Sequence, residues 1–151
     1  MSFDHVNVIR GRNIFNSSCL TVAITTNSVG IMGAGLAKAA ADKYPVILPC
    51  YREYCKRTPA GTLHHPIIAP VAQGRQLLLV PTKIDWREPS QIAYLDEALR
   101  NIYEMQDDLA SLALPPMGCG LGGLKFNSDL RPLLIEWLPR IQIPIELYLP
   151  E

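Results

Sequence analysis

Seven of the ten glycines in this chain lie in two short stretches, Gly30-Ile31-Met32-Gly33-Ala34-Gly35 and Gly118-Cys119-Gly120-Leu121-Gly122-Gly123. Each stretch directly follows an apolar, strand-like run. A residue without a Cβ meets no steric bar to positive φ, so successive N–H groups can converge into a nest that holds phosphate oxygens without a charged side chain. Two such loops would suit a molecule with two linked phosphates. The competing explanation for each is a structural turn, since glycine before a helix is common.

The segments around the loops read as alternating strands and helices. Residues 6–9 and 20–25 are short β-branched runs, and residues 36–43 are strong helix formers that stop before Pro45. Pro45 is expected in the first turn of a second helix carrying Tyr51, Tyr54 and Cys55 and ended by Thr58-Pro59-Ala60-Gly61. Residues 64–69 and 76–80 read as strands flanking the turn Gln73-Gly74-Arg75, and Ser90 as the N-cap of a helix over residues 91–106. A short strand over residues 110–114, a helix capped by Ser128 and running to Leu138, and a closing strand over residues 143–149 complete the chain. This order predicts one α/β domain over residues 1–151 with a mainly parallel sheet and helices on both faces. Ligands of such folds bind beyond the carboxyl ends of the strands, where residues 27–35, 81–87 and 115–123 would converge.

Composition narrows the partners. Lysine plus arginine equals aspartate plus glutamate at 14 each, so the overall field does not favour a non-specific polyanion binder. Met1-Ser2-Phe3-Asp4-His5 opens with no basic stretch leading into an apolar segment, and no apolar run approaches the roughly 20 residues that span a bilayer. The expectation is a monomeric cytoplasmic protein without membrane contact. Cys19, Cys50, Cys55 and Cys119 have the spacing of neither a zinc site nor a disulfide framework, and no motif calls for a metal or cofactor.

Lys83 follows Leu77-Leu78-Leu79-Val80-Pro81 and should therefore sit at the carboxyl edge of the sheet. Its amine could act as nucleophile or base, or as a cation toward a phosphate or leaving group; an ordinary solvated lysine is the alternative. Cys119 is a conceivable thiolate nucleophile, although none of His5, His64 and His65 is placed to serve as its base. His64 and His65 would open a strand with side chains on opposite faces, which argues against joint metal ligation. Asn27 could bond sugar hydroxyls or build a turn, and Trp86 with Arg87 could stack on a base and meet a phosphate or pack on the domain.

Three motifs in this order, residues 27–37, Pro81-Thr82-Lys83 with Trp86-Arg87, and residues 115–124, resemble macrodomains across nearly the whole chain. The likeness is greatest to the branch holding the DarG-type antitoxin macrodomain and the terminal ADP-ribose protein glycohydrolase. The resemblance implies a three-layer α/β/α sandwich with a mixed, mainly parallel sheet and ADP-ribose in a cleft. It implies that Gly33, Ala34 and Gly35 approach the distal ribose and phosphates, that Gly118, Cys119, Gly120, Leu121 and Gly122, preceded by Met117, cradle the diphosphate, that Asn27 meets the distal ribose, and that Lys83 is catalytic. Asn13 and Ile14 fall where the family reads adenine.

The chain departs from the family in three places. The Gly-Asp whose carboxylate reads the adenine amino group is Arg12-Asn13 here, so only an amide oxygen could accept that bond. The family asparagine three residues before Asn27 is Ile24. The aspartate of the protein-directed glycohydrolase corresponds to Gly122, which favours action on ADP-ribosylated DNA. DarG-type antitoxins carry a long toxin-binding region after the macrodomain, whereas this chain ends at Glu151, so toxin capture is not expected. The implied function is hydrolysis of the bond between ADP-ribose and a DNA base through Lys83. The rival readings are an ADP-ribose 1″-phosphate phosphatase and a non-catalytic reader of ADP-ribose or a related nucleotide.

Overall fold

Leu77, Leu78, Leu79 and Val80 are all completely buried, so the strand that holds them must be covered on both faces. In the computed structural model, which describes residues 1–151, Leu77 and Leu79 pack into one apolar cluster and Leu78 and Val80 into another. Val22 and Ile24 join the first and Ala23 the second, the period-two alternation of a strand between two cores.

Six strands make the sheet: β1 Val6–Arg10, β2 Thr21–Asn27, β3 Ile67–Ala72, β4 Arg75–Lys83, β5 Leu112–Leu114 and β6 Ile145–Leu149. Their order is β1-β6-β5-β2-β4-β3, and every neighbouring pair is parallel except the antiparallel β3–β4 hairpin. Helices α1 Gly35–Lys43 and α2 Ile47–Arg57 cover one face through Ala37, Ala40, Ile47, Tyr51 and Cys55. Helices α3 Ile92–Leu109 and α4 Arg131–Trp137 cover the other through Leu95, Leu99, Ile102, Leu134 and Trp137. The result is the expected α/β/α sandwich with a mixed, mainly parallel sheet. No helix is long and apolar enough to cross a membrane.

Several boundaries differ from the sequence reading. Ser90 does not cap α3; Gln91 occupies that position without a side-chain bond, and the Ser90 hydroxyl is buried without a partner. Helix α2 begins at Ile47, two residues past Pro45. The strand expected from His64 begins at Ile67, because the His64 N–H donates to Ser28 Oγ at 3.0 Å and its ring meets Thr58 Oγ1. Ala110 ends α3 at φ 62° rather than opening β5. Ser128 lies inside a π-type turn, Phe126–Leu130, that leads into α4, and the Asp129 carboxylate accepts the Lys125 N–H at 2.7 Å. Pro144, without an N–H to donate, precedes β6, which starts at Ile145 rather than Ile143.

A β-bulge sets the end of the central strands. Thr26 faces Pro81 but Asn27 faces Lys83, leaving Thr82 as the extra residue, and a bulge of this kind re-aims the side chains beyond it. Tyr51, completely buried on α2, accepts the Thr26 hydroxyl at 2.9 Å and donates to the Asn27 carbonyl at 2.7 Å. Burial pushes the Tyr51 phenol far up from its ordinary value, with neighbouring groups adding smaller effects, so it remains a donor. Tyr51→Phe should strand two buried polar groups and lower stability by about 1–3 kcal/mol. Denaturant unfolding checks this, because β2 would no longer be pinned where the first glycine loop begins.

Candidate functional site

Because five of the strands are parallel, the segments after β1, β2, β4 and β5 and the last residues of β6 all emerge at one edge. They enclose a cleft of about 1160 Å³. Asn13 and Ile14 line it after β1, Asn27, Gly33, Ala34 and Gly35 around the end of β2, Lys83 at the end of β4, and Gly118, Gly120, Leu121 and Gly122 after β5. The structure therefore brings together nearly all the residues singled out from sequence. Met117 and Cys119 are the exceptions. Met117 is buried in the core beneath α3 and α4, and Cys119 packs against that core with its thiol on the Met117 carbonyl at 3.6 Å. Burial raises the Cys119 thiol from its ordinary value and the Asp129 charge adds to the shift, so a thiolate is disfavoured there. None of the three histidines lines the cleft.

The first loop is organised by Asn27. Its amide oxygen accepts the N–H groups of Val29, Gly30 and Ile31 at 3.1, 2.9 and 3.3 Å, and its amide nitrogen donates to the Ile31 carbonyl at 2.7 Å. The side chain thus shapes the loop at the wall of the cleft. The N–H groups of Gly33, Ala34 and Gly35 donate to no protein acceptor, and Ala34 offers no side-chain cap to the first turn of α1. A helix start in that condition is an anion site by its free donors and its dipole.

The second loop is folded on itself by bonds from Gly123 N to Gly120 O at 3.1 Å and from Leu124 N to Gly118 O at 2.9 Å, while the N–H groups of Gly120, Leu121 and Gly122 have no acceptor. Gly122 has no room for a side chain: a Cβ would lie 2.5 Å from the Gly118 carbonyl oxygen and 2.6 Å from the Ser90 hydroxyl. The Ser90 N–H, in turn, holds the Gly122 carbonyl at 2.9 Å. Ser90 is thus a support for the second loop, a role that sequence reasoning missed because its position before a helix looked like a cap.

Lys83 joins the two sides. Its Nζ donates to the Trp86 carbonyl at 3.2 Å and the Leu121 carbonyl at 3.5 Å. The Leu121 side chain, largely exposed, reaches toward Gly35, whose Cβ would sit 3.1 Å from it. At the far end of the cleft, Asn13 Oδ1 accepts the Phe15 N–H at 3.0 Å and caps a 3-10 turn, Ile14–Asn16. Tyr148 and Phe15 also line that end. Tyr148 was not singled out from sequence, although its place near the end of the closing strand was a usable signal.

The site is that of an α/β/α domain with two rows of unengaged backbone donors at one cleft and a lysine between them. The sequence matches the profile described as Macro domain over residues 24–131, and the chain belongs to the macro domain family. It is 31% identical, over 97% of its length and 42% of the relative, to a Thermosipho africanus protein named a DNA ADP-ribosyl transferase-DNA ADP-ribosyl glycohydrolase fusion protein. It is 36% identical, over 74% of its length and 33% of the relative, to a Mycobacterium tuberculosis protein named DNA ADP-ribosyl glycohydrolase. The chain thus spans less than half the length of these curated relatives. Among solved structures, the macrodomain of Mycobacterium tuberculosis DarG superposes with a TM-score of 0.83 at 27% identity, covering 97% of this chain and 98% of that one. Thermosipho africanus DarTG in complex with ADP-ribose gives 0.82 at 29%, covering 98% and 42%.

Two of the three glycines of the first loop, Gly33 and Gly35, differ as mutational targets. Gly35 has φ 58° and faces Leu121, so any side chain there is strained, whereas a Cβ at Gly33 meets only Ile31 at 3.7 Å. Gly33→Glu should fold with an unchanged circular dichroism spectrum and lose ADP-ribose binding through charge repulsion. Gly35→Glu should lose both binding and thermal stability. Calorimetric titration and melting of the two variants check the contrast.

Proposed function

We propose that this macro domain is a DNA ADP-ribosyl glycohydrolase: it binds the ADP-ribose unit of modified DNA and hydrolyses the bond joining C1″ of the distal ribose to the base. The observation that carries the reading is the pair of glycine loops, whose free N–H groups face one cleft with Lys83 between them. Oriented backbone dipoles supply attraction for a diphosphate with no net protein charge. The names of the relatives support the reaction.

In this reading the phosphates bind along Gly33, Ala34 and Gly35 and along Gly120, Leu121 and Gly122, and the purine lies toward Asn13, Ile14 and Tyr148. Lys83 faces the distal ribose. Its amine acts there either by attacking C1″ to form a transient adduct that water resolves, or as a cation that stabilises the departing base while water adds to C1″. In both routes water ends on C1″ as the hydroxyl and the base leaves with a proton. The crowding at Gly122 supports action on DNA, because the aspartate used by the protein-directed relative would collide with Gly118 and Ser90.

Assays on ADP-ribosylated DNA, ester-linked ADP-ribose on protein carboxylates, and ADP-ribose 1″-phosphate test the substrate. The expected order puts DNA first, and a dominant phosphatase rate would overturn it. Lys83→Ala should keep ADP-ribose affinity within a few-fold and lose turnover by about 10²–10⁴, the usual contribution of an acid, base or nucleophile. Lys83→Arg keeps the cation without a nucleophilic amine, so residual activity in it identifies the electrostatic route and borohydride trapping of the wild-type protein identifies the covalent one. Asn13→Asp should keep the cap on Phe15 and tighten ADP-ribose binding, because its second oxygen can accept the adenine amino group.

A further inference from the structure

The chain has two tryptophans, used in opposite ways. Trp137 is buried, donates its indole N–H to Asp96 at 2.8 Å, and has the guanidinium groups of Arg100 and Arg140 at 5.3 and 5.0 Å from its ring centre. Trp86 is 49% exposed, and it lines the cleft. A half-exposed indole costs apolar burial and contributes little to packing. Its backbone carbonyl receives the Lys83 amine at 3.2 Å, which sets the Trp86 main chain beside Lys83 at the cleft wall.

The ring is held in place by its neighbours. The Asp85 carboxylate accepts three bonds from Arg87, from the backbone N–H at 2.9 Å, from Nε at 3.0 Å and from Nη2 at 2.7 Å. Those bonds hold the Asp85 carboxyl down to about 2. The guanidinium so fixed lies 5.7 Å from the centre of the Trp86 ring, within reach of the ring's quadrupole. Asp85 therefore orients Arg87 and also neutralises it, which weakens this patch as a track for phosphates and leaves an aromatic surface beside the reacting centre.

We propose that Trp86 is the stacking platform for the nucleobase to which ADP-ribose is attached, and so sets the preference for DNA over protein substrates. The proposal rests on the glycohydrolase reading, since it takes the bond at C1″ to join ribose to a base. An aromatic face recognises any base through its π surface and gains little from a flexible carboxylate side chain. Recognition by stacking also predicts a weak dependence on salt, in contrast to binding through several phosphates.

Steady-state hydrolysis of an ADP-ribosylated single-stranded oligonucleotide by wild type, Trp86→Ala and Trp86→Phe is the test, with ADP-ribose affinity measured in parallel. Trp86→Ala should raise KM about tenfold with a smaller effect on kcat, as loss of one base–aromatic stack implies. It should leave ADP-ribose affinity within twofold, and Trp86→Phe should recover most of the loss. Between 50 and 200 mM salt, oligonucleotide binding should weaken by about threefold or less beyond the change seen for ADP-ribose, as for a single phosphate contact. An unchanged KM in Trp86→Ala, an equal loss of ADP-ribose affinity, or a much steeper salt dependence overturns the proposal. If wild type fails to release ADP-ribose from DNA, the glycohydrolase reading falls, and stacking is read independently from Trp86 fluorescence in Lys83→Ala protein. Quenching by the modified oligonucleotide beyond that by ADP-ribose supports the platform, and its absence refutes it.

Discussion

The Ser28 N–H, shared between the carbonyls of Lys83 at 3.1 Å and Ile84 at 2.9 Å, ties together the two strand ends on which the site is built. Directly before it, Asn27 holds the first glycine loop through its amide, and its carbonyl is held by Tyr51 from beneath. Directly across from Asn27, the bulge at Thr82 gives Lys83 its place in the register. One junction of β2 and β4 thus positions both the phosphate loop and the amine. The cost of leaving any of these buried polar groups unpaired keeps the junction intact.

The arrangement explains how a chain with equal numbers of acidic and basic residues can hold a doubly charged ligand. The attraction is local, arising from backbone dipoles on two loops and the start of α1, and it does not require a basic surface. Of the three cations lining the cleft, Arg87 is paired with Asp85 and Lys83 is bonded to two carbonyls, while Arg12, at the purine end, makes no ion pair. In the proposed function such a site favours a compact anion with the right reach over a long polyanion. In the same proposal, contact with the base attached to the ligand falls to an uncharged surface, the Trp86 ring.

Much of this was legible because glycine and the apolar periodicity report backbone needs directly. The buried run Leu77 to Val80 gave away the central strand, and the glycines after β2 and β5 gave away the cleft. What escaped depended on how the loops fold, through a contact distant in sequence at Ser90 and through local turns elsewhere. Ser90 looked like a helix cap, yet it serves the loop at Gly122. Met117 and Cys119 lie within a cleft-lining motif, but the turns of a tight loop send adjacent residues to opposite sides, here into the core. Asn27, expected at the ribose, lines the cleft, and its amide also makes four bonds within its own loop, a local pattern that asparagine side chains favour.

Amide chemical shifts measured by nitrogen-15 NMR during an ADP-ribose titration test the central claim most directly, because they report individual N–H groups. The account predicts that the largest downfield proton shifts belong to Gly33, Ala34, Gly35, Gly120, Leu121 and Gly122, whose N–H groups gain charged acceptors, while Val29, Gly30 and Ile31, already bonded to Asn27, move far less. Shifts concentrated outside both glycine loops, or larger in Val29 to Ile31 than in Gly33 to Gly35, would contradict it.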